Sequence, residues 1–151
     1  MKLWILRHGE AEPRADSDAD RRLTAHGRDQ VLHSAAHLRG LPLQAILASP
    51  YVRAQQTAAL VHGALSPAEA VITVDWLTPD GEVDQVIAEL ERLGLEEVLL
   101  VSHQPLVGNL VAVLQHGHRQ HPTAMGTASL AQLEGDWPLP GLMTLKAIHH
   151  C

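Results

Sequence analysis

The sequence predicts an α/β protein in which helices cover both faces of a mainly parallel central sheet, in three α/β/α layers. Short apolar runs alternate with segments of helical periodicity, and no repeat, low-complexity tract or linker interrupts them. The length of 151 residues suits one sizeable core. We therefore expect residues 1–151 to form a single domain.

Six apolar segments are candidate strands. Four are short runs bounded by turn or cap residues, namely Leu3–Leu6, Ala45–Ala48, Val71–Val74 and Val98–Val101. The last of these is apolar at every position, as expected for a strand that is covered on both faces. Two later stretches alternate in polarity, and we expect them to be strands near a sheet edge: Thr127–Leu133 and Leu142–Ile148.

Four helices are predicted between these strands from capping residues and apolar spacing. Thr24 is the expected N-cap of the first helix, and Ser49-Pro50 supplies a cap and a first-turn proline for the second. The third has apolar residues at helical spacing, and the fourth begins at a proline. The first two helices are expected to end at about Leu38 and at about His62. The third is expected to span Val83–Leu93, and the fourth Pro105–Leu114.

Reactive side chains follow three of the predicted strands. Arg7 and His8 come after the first strand, Arg53 follows the second, and His103 follows the fourth. Ligands of open α/β sheets bind beyond the carboxyl ends of the strands, so we expect these side chains to meet at one edge. Arg21, just before the first helix, is placed to reach the same edge.

Two histidines and several arginines at one edge indicate phosphoryl transfer. Guanidinium groups bind phosphoryl oxygens through paired N–H donors, and a neutral imidazole is a competent nucleophile near pH 7. Gly9 is expected to let the backbone turn sharply and approach the phosphate. The helix start after Ser102 is expected to add backbone N–H donors.

Composition excludes several classes of partner. The net charge of −6 disfavours nucleic acid and anionic membranes, because like charges repel. The single cysteine, Cys151, excludes an internal disulfide. The apolar stretch before Arg7 is too short for a signal peptide or a membrane span, so we expect a cytoplasmic protein.

Four blocks of sequence resemble the histidine phosphatase superfamily, also called phosphoglycerate mutase-like. They appear in the order of that family and extend from residue 3 to about residue 114. The blocks are Leu6-Arg7-His8-Gly9-Glu10, Leu23-Thr24-x-x-Gly27-x-x-Gln30, Ser49-Pro50-x-x-Arg53-Ala54-x-Gln56-Thr57-Ala58 and Val101-Ser102-His103-x-Pro105-Leu106-Val107. The short chain, the stretch Leu77-Thr78-Pro79-Asp80-Gly81-Glu82 and Gly108 after the last block resemble the SixA-type phosphohistidine phosphatases in particular.

This resemblance implies a role for each site residue. His8 is the implied nucleophile, and His103 completes the pocket and stabilises the transferring group. Arg7, Arg53 and Arg21 are the implied phosphate-binding residues. Arg21 is preferred to Arg22 because it fits the family spacing Arg-x-Leu-Thr.

The substrate expected from this site is phosphohistidine on a phosphorelay or phosphotransfer protein. Larger relatives that cleave phosphate esters place a glutamate after the third strand as general acid, whereas here only Asp80 and Glu82 lie nearby. An ester needs such an acid, but imidazole leaves readily without one. The segment between Thr57 and Val98 is also too short for the helical lid of larger relatives, which leaves an open pocket for a protein substrate.

Two alternatives stay open at this point: a small-molecule phosphomonoesterase or mutase, and a non-catalytic phosphate- or phosphohistidine-binding module. No cofactor and no metal are expected, because the spacing of the late histidines matches no standard zinc pattern. Those residues are expected to form a polar loop and a loose tail: His116, His118, His121, His149 and His150 with Cys151.

In the acidic loop, Asp18 is the best placed to pair with Arg21. A monomer is compatible with the sequence.

Overall fold

A computed structural model describes residues 1–67 and 69–151 and contains one six-stranded sheet. The strands are β1 (Lys2–Arg7), β2 (Ala45–Ala48), β3 (Ile72–Thr73), β4 (Glu97–Ser102), β5 (Leu130–Glu134) and β6 (Thr144–His149). The helices are α1 (Ala25–Ala35), α2 (Val52–Leu65), α3 (Val83–Leu93) and α4 (Leu106–His116). Three short 3-10 turns complete the described elements: Asp18–Asp20, Ala36–Leu38 and Asp75–Leu77.

The sheet is mainly parallel, as predicted. Its strand order is β3-β2-β4-β1-β5-β6, and the first four of these strands pair in parallel. β5 pairs antiparallel with β1, and β6 pairs antiparallel with β5 at the sheet edge. β1 and β4 are therefore central strands, and their carboxyl ends lie side by side because Arg7 pairs with Ser102.

Two helical layers cover this sheet, which confirms the predicted α/β/α architecture. Leu3 and Ile5 of β1 pack into a core that includes apolar residues of α3 and α4. Trp4 and Leu6 point to the opposite face and pack into a core that includes residues of α1 and α2. All residues of β4 are buried, since helices cover both of its faces.

The helix starts agree with the sequence in three of four cases. Thr24 caps α1 as predicted, because its Oγ1 accepts a hydrogen bond from the amide of Gly27 at 2.9 Å. The predicted start of α2 at Ser49-Pro50 is wrong, because the helix begins at Val52 after an extended Tyr51. The hydroxyl of Ser49 lies instead 2.7 Å from Nε2 of His103.

The predicted ends were less accurate than the starts. α2 continues to Leu65 rather than His62, and α4 continues to His116 rather than Leu114. α1 ends at Ala35 and is followed directly by the 3-10 turn Ala36–Leu38, which reaches the predicted end. α3 spans Val83–Leu93 as predicted.

The segment that joins α2 to α3 is short and has no helical insertion among its described residues. Its described residues form only β3 and the 3-10 turn Asp75–Leu77, with no inserted helical lid. β3 is also shorter than predicted, because only Ile72 and Thr73 pair with β2. Within residues 1–67 and 69–151, no helix has both the length and the apolar character needed to cross a bilayer.

Candidate active site

The carboxyl ends of β1, β2 and β4 bring the predicted histidines together. His8 follows β1 and His103 follows β4, and their ring centroids lie 5.0 Å apart with a 57° tilt. Arg53 comes from the first turn of α2, and its Nε lies 3.3 Å from His8 Nε2. Residues from three separate elements thus meet at one buried point.

The imidazole of His8 is held with one nitrogen free for chemistry. Its Nδ1 lies 2.7 Å from the carbonyl oxygen of Gly9, which can only accept, so Nδ1 carries the proton. Nε2 therefore has a lone pair, which faces Arg53. Burial, followed by the nearby guanidinium groups of Arg53, Arg7 and Arg21, lowers the pKa of His8 to about 4 despite the opposing bond to Gly9. The ring is neutral at pH 7.

Gly9 makes close backbone contact with α1, a constraint that the sequence alone did not reveal. A Cβ at this position would lie 2.5 Å from the carbonyl oxygen of Gly27 and 2.9 Å from a methyl group of Val31. The amide of Gly9 also donates to Thr57 Oγ1 at 3.2 Å, and that hydroxyl donates to the carbonyl oxygen of Arg53 at 2.8 Å. Thr57 consequently couples the loop after His8 to the helix that carries Arg53.

His103 is more deeply buried than His8 and is oriented by Ser49. Its Nε2 lies 2.7 Å from Ser49 Oγ, and the ring of Tyr51 approaches edge-on at 5.1 Å. Burial, then the charges of His8 and Arg53, lower the pKa of His103 to about 2. Its Nδ1 is buried and has no hydrogen-bond partner among the described residues. A buried polar atom without a partner is a position where a bound group can be accommodated.

Ser49 and Tyr51 were not predicted as site residues, although both lie within the third family block. The signal was present in the order Ser49-Pro50-Tyr51, but the sequence favoured a capping role for Ser49. Its hydroxyl instead accepts from the amide of Tyr51 at 3.2 Å and reaches His103.

Arg7 and Arg53 contribute one partly buried and one buried guanidinium group to the site. The side chain of Arg53 is 5% exposed, and its guanidinium lies 5.1 Å from the ring centroid of Tyr51. Arg7 donates to the carbonyl oxygen of Met125 at 2.9 Å, and its buried Nε has no partner in the described part of the chain. Burial, and then Arg53, lower the pKa of Arg7. Such clustered positive charge favours an anion at this point.

Arg21 joins the cluster through Asp18, and the predicted pairing of these two residues is confirmed. Arg21 NH1 lies 2.9 Å from Asp18 Oδ1, and Arg21 Nε donates to the carbonyl oxygen of Glu12 at 2.6 Å. The same Asp18 carboxylate contacts Arg53 at 3.1 Å through Oδ2. The hydrogen bond from Arg21, and more weakly the contact with Arg53, lower the pKa of Asp18 although burial acts against them.

Neither candidate general acid contacts the histidines. Asp80 is exposed and accepts a hydrogen bond from Thr78 Oγ1 at 2.8 Å within a turn. Glu82 occupies the N-cap position of α3 and lines a separate surface depression beside His118. Among the described residues, no hydrogen bond links either carboxylate to His8 or His103, so the structure favours their roles as turn and helix-start residues.

Three histidines from the C-terminal part of the chain line two separate surface depressions, His118 one of them and His149 and His150 the other. His118 lies beside α3, whereas the C-terminal residues border a groove of about 500 Å³ along α1. Within residues 1–67 and 69–151, no group of three or more metal-ligating side chains is arranged to hold an ion. The groove histidines and cysteine are His26, His33, His37, His149, His150 and Cys151.

Comparisons with known proteins agree with this geometry. The model of the histidine phosphatase superfamily (branch 1) matches residues 3–77. The chain is 42% identical to the phosphohistidine phosphatase SixA homolog of Haemophilus influenzae, over 90% of this chain and 89% of that protein. It is 38% identical to phosphohistidine phosphatase SixA of Escherichia coli, over 90% and 86% of the two chains.

A solved structure extends the similarity to the whole fold. The protein histidine phosphatase SixA in complex with tungstate superposes with a TM-score of 0.90 at 35% identity, over 99% of this chain and 97% of that one. Sequence and structure therefore agree on the family expected from the four blocks. The chain belongs to the histidine phosphatase superfamily and is similar to its SixA-type members.

Proposed function

We propose that this protein is a phosphatase that removes the phosphoryl group from phosphohistidine on a partner protein, through a phosphorylated His8. The observation that carries the proposal is the state of His8: a neutral, buried ring with its Nε2 lone pair directed into a cluster of arginines. The similarity to proteins named phosphohistidine phosphatase supports the choice of substrate.

In the first step, the Nε2 lone pair of His8 attacks the phosphorus atom of the substrate. A bond forms between Nε2 and phosphorus, and the bond from phosphorus to the substrate imidazole breaks. The hydrogen bond from His8 Nδ1 to Gly9 supports this step, because positive charge develops on the ring as Nε2 is phosphorylated. Arg53 Nε, which points at Nε2 in the free site, donates to a phosphoryl oxygen.

The arginines and His103 stabilise the charge on the transferring group. Arg53 offers donors from a buried position and Arg7 from a partly buried one, so part of the cost of desolvating them is already met in the folded state. When the hydroxyl of Ser49 donates to His103 Nε2, the N–H of His103 is at Nδ1, where it can donate a hydrogen bond to the phosphoryl group. In the second step, water attacks phospho-His8, releases inorganic phosphate and restores the free imidazole.

The leaving group explains why hydrolysis of phosphohistidine does not require Asp80 or Glu82 at the histidines. An alkoxide leaving from a phosphate ester needs a proton in the transition state, and among the described residues neither Asp80 nor Glu82 is hydrogen-bonded to the histidines. A substrate imidazole is a better leaving group, because it departs as a neutral ring when its second ring nitrogen already carries a proton. The site geometry therefore favours cleavage of a P–N bond over cleavage of an ester.

The charge of the site supports a reaction without metal. Arg7, Arg21 and Arg53 supply the positive charge that metal ions supply in many phosphoryl-transfer enzymes. We expect excess EDTA to change the rate of phosphate release by less than twofold. A loss of activity that added Mg²⁺ or Zn²⁺ restores would contradict metal-independent chemistry.

The lack of an inserted helical lid among the described residues supports a substrate carried by another folded protein. The described residues between α2 and α3 form no lid over His8, so a side chain presented by a phosphorelay or phosphotransfer protein has access. Such partners are cytoplasmic signalling or transfer proteins, and we place this phosphatase in the same compartment.

The test is phosphate release from a phosphohistidine-bearing protein, measured beside a phosphoserine peptide and a sugar phosphate. We expect release from phosphohistidine alone, and its loss in His8→Ala. His118→Ala, an exposed histidine away from the site, is the matched control and should retain wild-type activity. Preferred release from the sugar phosphate would make the protein a small-molecule phosphatase. Binding of the phosphoprotein without any release would make it a binding module.

A further inference from the structure

Asp18 makes three contacts with the arginines of the site. Its Oδ1 accepts from Arg21 NH1 at 2.9 Å, and its Oδ2 accepts from Arg53 NH2 at 3.1 Å. Its backbone carbonyl oxygen also accepts from Arg53 NH1 at 2.6 Å. One residue of a surface loop thereby fixes two guanidinium groups that come from different elements.

The loop holds Asp18 in place independently of its side chain. An antiparallel bridge between Ala11 and Leu23 closes the base of the loop, and the 3-10 turn Asp18–Asp20 starts at this residue. The amide of Arg21 donates to the carbonyl oxygen of Asp18 at 3.3 Å. The carboxylate is therefore presented from a defined backbone position.

The contacts leave Arg53 with donors that are free for a phosphoryl group. A guanidinium has five N–H groups in a rigid fork. In Arg53 the Nε–H faces His8, and Asp18 takes one N–H of each terminal nitrogen, so one N–H on each terminal nitrogen is left. Because the fork is rigid, fixing one side of it also fixes the direction of the donors on the other.

We propose that Asp18 is a positioning residue, whose carboxylate bridges Arg53 and Arg21 and holds both guanidinium groups in the orientation that binds the phosphoryl group. The catalytic part of this inference rests on the proposed function, whereas its effect on phosphate binding does not. The Arg21 hydrogen bond lowers the pKa of Asp18, so the bridge is ionised at neutral pH.

The opposite role for Asp18 would be a competitor that covers the arginines until substrate displaces it. The two roles differ in the sign of a measurable effect. Simple electrostatics predicts that removal of a negative charge beside an anion site strengthens anion binding. A competing carboxylate predicts the same strengthening. A positioning residue predicts weaker binding, because the freed guanidinium groups lose their orientation.

The experiment compares Asp18→Asn with wild type and with Asp16→Asn. Asn keeps the shape of the side chain but removes its charge and places a donor against one guanidinium. Asp16 is a matched control: it is exposed in the same loop and forms no ion pair within the described residues. The dissociation constant of inorganic phosphate is measured by calorimetry, and kcat and KM are measured with the phosphohistidine protein. Circular dichroism verifies that each variant is folded.

We expect Asp18→Asn to weaken phosphate binding about tenfold and to lower kcat/KM by a similar factor, with Asp16→Asn within twofold of wild type. Equal or tighter phosphate binding in Asp18→Asn would overturn the proposal. If wild type binds phosphate but does not hydrolyse phosphohistidine, the proposed function fails, and the phosphate constants still decide the role of Asp18.

A double-mutant cycle tests whether Asp18 acts through its arginine partners. Residues that act as a unit have effects that combine to less than their product. We expect Asp18→Asn to weaken phosphate binding by a smaller factor in an Arg21→Ala background than in wild type. Two effects that multiply in full would show that Asp18 acts independently of Arg21 and would contradict the bridge.

Discussion

The two buried histidines predict that the protein loses stability as the pH falls from 8 to 5.5. The pKa of His8 is lowered to about 4 and that of His103 to about 2, in both cases mainly because burial disfavours the charged ring. In the unfolded chain each ring has an ordinary pKa of about 6.5. Below that pH the unfolded state binds more protons than the folded state, so the free energy of unfolding falls with pH.

The size of this effect follows from the same pKa values. At pH 5.5 each ring carries almost a full proton in the unfolded chain and almost none in the folded protein. Integration of the linkage relation from pH 8 to pH 5.5 gives roughly 3 kcal/mol for the two rings together. His8 is 6% exposed and His103 is 1% exposed, so water screens neither ring appreciably. The contribution is fully present above pH 6.5 and is lost toward pH 4 for His8 and toward pH 2 for His103.

Urea unfolding at a series of pH values measures this loss. Trp4 and Trp76 are both buried and report unfolding through their fluorescence. In a variant that combines His8→Asn with His103→Asn, we expect the difference in stability between pH 8 and pH 5.5 to shrink by roughly 3 kcal/mol. His118→Asn, which changes an exposed ring, should keep the wild-type dependence. A double variant with the full wild-type dependence would refute the conclusion that both rings are neutral when folded.

Two further predictions concern the packing and the orientation of the site. Gly27→Ala should lower the free energy of unfolding by about 2 kcal/mol or more in urea, because a Cβ there would overlap the carbonyl oxygen of Glu10. Gly63→Ala, at a helical position with open space, should raise it by about 0.5–1 kcal/mol, and a cost equal to that of Gly27→Ala would contradict the packing argument. Ser49→Ala should lower kcat about tenfold in steady-state assays, since it removes the hydrogen bond that orients His103. An unchanged kcat would show that this bond is dispensable.

The layers of the fold could be predicted from the sequence because buried segments have a recognisable pattern of apolar residues. The fully apolar run Val98–Val101 indicated a strand covered on both faces, and β4 is such a strand. The predicted start of α2 was wrong because the local preference of serine for an N-cap competed with a contact to a residue distant in the chain. Serine is common at helix N-caps, but the hydroxyl of Ser49 forms a hydrogen bond with His103, 54 residues away in the chain. A cap preference of about 1 kcal/mol is easily overridden by such a bond to a buried ring.

The site was predictable to the extent that the ends of the strands determine where its side chains lie. Arg7 is the last residue of β1, and His8 and His103 directly follow β1 and β4. These two strands pair in parallel, so the proximity of the three residues follows from topology. The contact of Arg7 with the carbonyl oxygen of Met125 was not predictable, because a backbone acceptor has no sequence signature. The packing constraint that requires a glycine at position 9 was also not predictable. Its neighbour Gly27 belongs to a different element and contacts it only in the folded chain.

The most direct test of the central claim is to find where the phosphoryl group resides during turnover. Wild type is mixed with a phosphohistidine protein labelled with ³²P, quenched in alkali within the first turnover, digested and analysed by mass spectrometry. We expect label on Nε2 of His8, with none on the enzyme in His8→Ala. Phosphate release by wild type with no label on His8, or with label on another residue, would contradict a mechanism that passes through phospho-His8.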